Sequence, residues 1–297
     1  MDERFELKLH DPEYPDSLRD LEHPPQVLYG RGNLEILKAP SVSIVGARRA
    51  TPYGIAAAKF CARIAVEHNL VITSGGAIGC DQAAGKEALL QGGKTIAVLA
   101  CAADVVYPRG AQKFFDEIIH SGGALISEQT WGQRALPWMF PKRNRLIAAL
   151  SQVLLVVEAS LKSGTMSTAN AAYNLGRSIF AVPGSIFSSN SQGCNQIISE
   201  GGQPIVDKDS LTIAFSREYN SLQLNQMKYA KGKPKTNRVL QALEAQAYSA
   251  QELSQSLGIP IEKILRLLSA YELEGSVVKL KSGLYSLSTS YYLKYHS

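Results

Sequence analysis

The sequence predicts an α/β protein: a Rossmann-like doubly wound parallel sheet followed by a C-terminal winged helix-turn-helix domain. Three observations carry this. From Pro40 onward, short continuous apolar runs alternate with helical stretches, and apolar strands of that kind between helices mean a parallel sheet covered on both faces. The loops that follow the runs are rich in small residues, hydroxyls and cations. The last segment reads as three helices and then a hairpin, which is the winged-helix pattern.

Residues 1–39 contain PEYP and HPPQVLYGRG. Prolines and turn residues dominate, so this segment is expected to be a lead-in with few regular elements that wraps the next domain. Residues 40–216 form the predicted Rossmann-like domain. SVSIVGA (41–47) is its first strand. The helix over 51–69 has Thr51 as N-cap, Pro52 at the first helical position and Asn69 as its stop. LVITSGG (70–76) is the second strand, and a helix over 80–93 ends at Gly92 and Gly93. KTIAVLA (94–100), a helix over 111–123, ALISE (124–128), QVLLVVE (152–158), a helix over 163–176 and SIFAVPG (178–184) follow. Residues 217–235 end in KYAKGKPK and read as a basic linker. Residues 236–297 hold the winged-helix pattern. Its first helix carries Val239, Leu240 and Leu243 on one face. The second starts at a capping box of Ser249 and Glu252, IEKILRLLSAYELEG supplies the third, and the hairpin turns at SG.

The chain has 297 residues, of which 45% are hydrophobic and 19% charged, ordinary values for a soluble protein with one large core and a smaller domain. No apolar run approaches the ~20 residues of a membrane span. The acidic N-terminus lacks an apolar signal core, so a cytoplasmic protein is expected. Cys61, Cys80, Cys101 and Cys194 are scattered with no CxxC, which predicts free thiols. The histidines are scattered too, so neither a metal site nor a cofactor is expected. Net charge is unevenly spread. Residues 1–39 hold 5 Lys and Arg against 9 Asp and Glu, residues 40–216 hold 15 against 11, and residues from 217 onward hold 11 against 6. A basic middle and tail suit a polyanionic partner.

Ligands of doubly wound sheets sit beyond the carboxyl ends of the strands. GARRATPYG after the first strand brings Arg48 and Arg49, without a GxGxxG fingerprint. SGGAIGCD brings Ser74, Gly75, Gly76 and Gly79 to a helix start, where backbone N–H groups and the helix terminus favour an anion. Arg109 follows the third strand. Lys162, Ser163, Gly164 and Thr165 repeat the glycine theme at another helix start. Each loop is weak alone, because glycine also serves simply to turn the chain; together they predict an anion site on one sheet edge. No catalytic set stands out: GxSxG is absent, and Asp81 and Glu158 read equally well as a helix cap and a strand end. Tyr53 and Tyr107 are candidates for stacking on bases or for packing.

The stretch FPKRNRLIAAL crowds Lys142, Arg143 and Arg145 at the N-terminal side of a helix. The helix dipole adds positive potential there, so a polyanion is expected to absorb the repulsion rather than the fold. Arg143 and Arg145 are two apart and point in different directions. One is expected to face the ligand, the other to pair with Glu128 or Glu158.

PPQVLYGRG, SIVGARRATPYG, VITSGGAIGCDQAAGKEAL, TIAVLACAADVVYP, FPKRNRLIAALSQVLLVVEASLKSGTMSTANAA and IFAVPGS occur in order between about residues 24 and 210. Together they resemble the DprA/Smf family of DNA-processing proteins. YELEGSVVKLKSGLYSL resembles the winged helix that many members carry. The resemblance implies a non-enzymatic protein that binds single-stranded DNA, forms a homodimer and helps load the RecA recombinase in natural transformation. It implies Arg48 as a phosphate contact, Arg109 as a lesser one, and Arg143, Asn144, Arg145, Ser163 and Gly164 as the rim. The family usually has an arginine where Ile78 stands and a histidine where Gly85 stands, so one pocket corner is expected to lack two polar groups. Two other readings compete. A LOG-type phosphoribohydrolase would need a glutamate after the glycine loop, absent from KSGTMSTANAA. A winged-helix transcription regulator with a ligand-sensing sheet domain would need a cationic recognition helix, yet IEKILRLLSAYELEG offers only Lys263 and Arg266, so duplex contact by this unit is at most weak.

Overall fold

A computed structural model describes residues 3–219 and 238–295. In chain order the first part holds β1 (Arg4–Lys8), α1 (Asp16–Arg19), β2 (Val27–Gly32), a short 3-10 helix (Leu34–Lys38), β3 (Ser41–Gly46), α2 (Pro52–Glu67), β4 (Val71–Ser74), α3 (Cys80–Leu90) and β5 (Thr95–Val98). It continues through α4 (Gln112–His120), β6 (Ala124–Ser127), α5 (Met139–Leu150), β7 (Val153–Glu158), α6 (Gly164–Asn174), β8 (Ser178–Ala181), α7 (Gln192–Ser199), β9 (Gln203–Pro204) and α8 (Lys208–Glu218).

The strands form one nine-stranded sheet in the order β1-β2-β6-β5-β4-β3-β7-β8-β9. All neighbours from β6 to β9 are parallel, and β1 and β2 add antiparallel at the β6 edge. The lead-in therefore differs from expectation. Its proline-rich turns flank two regular strands that extend the sheet. From β3 the chain winds outward through β4, β5 and β6, then returns to lay β7 on the other side of β3. Connections leave β3 and β7 in opposite directions, so the sheet has its switch point between them.

Alternate residues of each central strand serve opposite cores. Val42, Ile44, Ile72, Val153 and Leu155 pack under α2, α3 and α8. Val45, Val71, Ile96, Val98, Leu154 and Val156 pack under α5, α6 and α7. A third cluster joins Ala97, Leu99 and Leu125 to Phe114, Phe115 and Ile118 of α4. The cap of α2 is made as the sequence predicts: Thr51 accepts from the Gly54 N–H at 3.1 Å, Pro52 follows, and Asn69 beyond the end has φ 58°. All four cysteines are buried and free.

α5 is tied down along its length. At its C-terminal end the hydroxyl of Ser43 donates to the Ile147 carbonyl at 2.6 Å, and that of Ser41 donates to Leu150 at 3.1 Å. Nearer its start, Arg145 donates to Glu128 at 2.5 Å and to the His23 carbonyl at 2.7 Å. Lys142 lies 3.5 Å from the same carboxylate. Glu128, just past β6, therefore takes up two of the three crowded cations. This corrects the expectation that the fold leaves their repulsion to a ligand. Of the two partners weighed for the inward arginine, Glu128 is the one used.

Beyond the sheet come α9 (Arg238–Ala245), α10 (Ala250–Leu257), α11 (Ile261–Leu273), β10 (Val277–Lys279), β11 (Tyr285–Leu287) and α12 (Thr289–Tyr295). β10 and β11 pair antiparallel around a turn with Gly283 at φ 85°. Val239, Leu243, Leu253, Ile264, Leu268, Val277 and Leu287 make a separate core. The Ser249–Glu252 capping box is formed on both sides. α12 lies against α2, where Tyr292 meets Tyr53 edge-on at 5.3 Å between ring centroids. Most of the expected basic linker, from residue 220 to 235, lies outside the described residues.

Glu128→Gln removes the charge that holds Arg145 and Lys142. With the Glu128 side chain 6% exposed and that of Arg145 22% exposed, the cost is expected at about 2 kcal/mol, below the value for a fully buried pair. A thermal melt should show Tm falling by roughly 4–8 °C.

Candidate nucleic-acid interface

A cleft of about 920 Å³ opens at the switch point. One wall is the loop after β3, with Gly46, Ala47, Arg48 and Arg49; the other is the loop after β7 and the start of α6, with Ser160, Ser163, Gly164, Thr165 and Thr168. Between them, the first two turns of α5 present Phe140, Arg143, Asn144 and Ile147. These four stand at i, i+3, i+4 and i+7 and so share one helix face. Tyr107 and Asn190 complete the lining.

The floor is built on Arg143, which is 5% exposed. Its Nη1 donates to the Gly75 carbonyl at 2.7 Å and to the Val98 carbonyl, and its Nε donates to Asn144 Oδ1 at 3.2 Å. The guanidinium thus joins the carboxyl ends of β4 and β5. Burial lowers its pKa to about 10, against the pull of Asp81, so it keeps its charge at neutral pH. Gly75 is glycine because the guanidinium packs where a Cβ would stand. Asn144 in turn donates to Ser167 Oγ at 2.7 Å and to the Gly164 carbonyl at 3.1 Å, which fixes the start of α6.

The glycine loop after β4 does hold a carboxyl group, but it is that of its own Asp81. One carboxylate oxygen accepts from the Gly75 N–H at 3.1 Å and from the Ala77 N–H at 3.4 Å. Burial raises the Asp81 pKa, while Arg143 and the backbone N–H groups oppose the rise. Glu158 is occupied too, accepting from the Thr51 N–H at 2.9 Å and hydroxyl at 2.6 Å. Its pKa is also raised by burial, with the Thr51 bonds opposing.

Of the residues expected at the site, Arg48, Arg49, Arg143, Asn144, Ser163, Gly164 and Thr165 line the cleft. Arg48 and Arg49 are exposed and pair with no carboxylate among the described residues. Arg48 lies over the Phe140 ring at 4.7 Å. The Ser163 hydroxyl is buried without a hydrogen-bond partner at the α6 N-terminus. The others stand apart. Ser74 donates its hydroxyl to the Ile44 carbonyl at 2.7 Å. Gly75 has both peptide groups engaged, and Gly76 is buried, its carbonyl accepting from Gln82 at 3.2 Å. Arg109 and Lys162 are exposed outside the cleft lining, and Arg145 is turned to Glu128. Arg143 itself belongs to the floor rather than the rim, because two carbonyls hold it there.

Tyr107 is at the cleft, 44% exposed and tilted against Phe140 at 5.5 Å. Tyr53 is not: it packs on Tyr292 and donates to the Pro183 carbonyl at 2.8 Å. Gly85 is buried where α3 meets Phe114, away from the cleft. The expected loss of two polar groups from one corner therefore reduces to Ile78. Phe140, Thr168 and Asn190 were not among the residues the sequence singled out. Phe140 was accessible through its helical spacing to Arg143 and Asn144.

These features define a doubly wound protein with a cationic, aromatic-rimmed cleft at its switch point. Residues 6–216 match the DNA recombination-mediator protein A family, and the chain belongs to that family. It is 39% identical over 204 residues to DNA processing protein DprA of Streptococcus pneumoniae, covering 68% of this chain and 71% of that protein. It is 36% identical to Protein Smf of Synechocystis over 68% of this chain, a match that spans about half of that relative, 51% of its length. Among solved structures it resembles DNA processing protein A from Helicobacter pylori, a protein with a unique single-stranded DNA binding mode. That likeness has a TM-score of 0.65 at 31% identity and covers 73% of this chain and 99% of that one.

Arg143→Met should cost about 3 kcal/mol or more, because two buried carbonyls are left without their donor. Arg48→Ala should stay within about 0.5 kcal/mol; urea unfolding of both compares them. Glu158 gives a pH signature. Its folded pKa lies above the unfolded value, so the fold binds the extra proton, and this contribution falls as pH rises from the ordinary carboxylate range through the folded value. The destabilisation caused by Glu158→Gln should therefore be larger at about pH 4 than at about pH 7.5, measured by denaturant titration.

Proposed function

We propose that the chain binds single-stranded DNA along the cleft, without enzymatic activity and with little base preference. The single observation that carries this is the pairing of unneutralised Arg48 and Arg49 with the half-buried ring of Phe140 and the exposed ring of Tyr107 in one cleft. Cations that track phosphates, interleaved with aromatic faces, suit an unpaired strand of any sequence. The unpartnered Ser163 hydroxyl and the α6 N-terminus supply a further phosphate position. Membership of the family and the likeness to the Helicobacter pylori protein support the same reading.

The finer role is a mediator that protects incoming DNA and helps load a RecA-type recombinase during natural transformation, acting in the cytoplasm as a homodimer. It is inferred from the family resemblance. We read the C-terminal unit as a winged helix, on its three helices, hairpin and following α12. Lys263 and Arg266 are the cations of α11, so its duplex contact is weak and protein contact is the better-supported use. The phosphoribohydrolase reading is disfavoured because Asp81, which lines the cleft, and the buried Glu158 are both engaged in internal hydrogen bonds. No helix among the described residues is long and apolar enough to cross a membrane.

Fluorescence anisotropy with an oligothymidylate at two salt concentrations tests the binding. Arg48→Glu should weaken it by on the order of tenfold or more, and the slope of log K against log salt should shrink by about 0.7 for each phosphate no longer neutralised. Lys113→Glu on α4, whose side chain is 90% exposed, should leave affinity nearly unchanged. Absence of wild-type binding at low salt would overturn the reading.

A further inference from the structure

A second hollow adjoins the cleft, on the far side of Arg48 and Arg49. It measures about 400 Å³ and lies between α2 and α3, lined by Arg48, Arg49, Ile55, Ile78, Gln82 and Lys86 among others. We propose that this hollow is a second nucleotide site. It would take a base of the strand that leaves the cleft against Ile55 and Ile78, with the adjoining phosphate between Arg49 and Lys86. The proposal rests on the single-stranded DNA reading of the cleft and extends it.

Three observations favour this occupant. The first is charge. The hollow is lined by three cations and by no acidic side chain. The acids nearest in sequence to Lys86 are engaged elsewhere: Glu87 is 3% exposed and held by Arg63 at 2.6 Å, and Asp81 is buried on the glycine loop. Lys86 is exposed and pairs with no carboxylate among the described residues; its Nζ stands 5.7 Å from the Phe114 ring. The field at the mouth is therefore positive and uncompensated. The second observation is the apolar floor. Ile78 is 57% exposed and lines the hollow with Arg48, Arg49 and Lys86, which suits a flat apolar face laid over it. Phosphate alone would not need that surface, whereas a nucleobase would use it. The third is continuity. Arg48 and Arg49 belong to both cavities, so a strand crossing the arginine loop passes from one to the other without leaving cationic surface.

The occupant is thus a single strand longer than the cleft holds. Lys86→Glu and Ile78→Glu change exposed side chains outside the cleft lining, and equal thermal melts would show that both variants fold. The measurement is anisotropy with oligothymidylates of about 6 and about 20 nucleotides, lengths that bracket one binding site. Each variant should lose threefold to tenfold in affinity for the longer strand and little for the shorter, and Lys86→Glu should lower the salt slope on the longer strand alone. Ile78→Trp should strengthen binding of the longer strand severalfold by offering a stacking face. Unchanged affinity of all three variants for the longer strand would overturn the second site and leave the cleft standing, as would equal losses on both lengths. Failure of the wild type to bind either strand would overturn the cleft and the hollow together.

Discussion

The buried guanidinium of Arg143 sets the geometry on which the site depends. A cation in a protein interior is costly unless its donors are filled, and here they are filled by the carbonyls of Gly75 and Val98 and by Asn144. Those carbonyls end two adjacent parallel strands. Left unpaired, they would put negative partial charge into a cleft that has to receive anions. Paired, they become the means by which α5 is positioned over the sheet, and the guanidinium offsets the Asp81 carboxyl group that lines the same floor. The same residue thus removes two obstacles to an anion. Gly75 is drawn into this arrangement from both sides, since Asp81 takes its N–H and Arg143 its carbonyl. Asp81, Gly75 and Arg143 form a chain in which each charge is stabilised by the peptide between them.

The crowded cations of α5 are separated by helical geometry. Phe140, Arg143, Asn144 and Ile147 share the face toward the cleft, while Lys142 and Arg145 stand on another face against Glu128. A run that looks uniformly basic in one dimension is divided between a binding floor and a structural pair. The repulsion is met twice, by a carboxylate for two of the charges and by backbone carbonyls for the third. Arg48 and Arg49, on a loop with no such partners, are then the cations whose charge is still open to a ligand. Their exposure is what the internal pairing of α5 leaves to the surface.

Legibility in the sequence followed the same physics. Strands buried on both faces read as unbroken apolar runs, so β3 through β8 were visible, as were the Thr51 cap and the Ser249–Glu252 box, whose side chains act on nearby backbone. β1 and β2 were not, because neither is buried on both faces: RFELK at the edge mixes charged and apolar residues, and VLYGRG beside it carries two glycines and an arginine. The place of Arg48 in the cleft lining was legible because a cation directly after a strand end has few places to go. Ser74, Gly75 and Gly76 were misread because a glycine loop at a helix start has the same composition whether it grips a phosphate or a carboxylate of its own chain. Asp81, seven residues after Ser74, was the available clue. It stands in the first turn of α3, where a carboxylate can reach back to the loop.

That substitution of an internal carboxylate for an external phosphate decides where a strand can lie. With the Gly75 and Ala77 N–H groups of the glycine loop taken by Asp81, the proposed anion-receiving helix start at the cleft is that of α6, where Ser163 keeps an unpartnered hydroxyl. In the proposed binding mode phosphates lie toward the α6 side and the arginine loop, with Phe140 and Tyr107 between. The α3 side offers side chains only, Ile78 and Lys86 among them. A surface built from side-chain cations and apolar faces grips a strand without fixing any one phosphate in a rigid nest. Tolerance of sequence and strong dependence on salt are what the proposed binding mode expects from that division of labour between backbone and side chain.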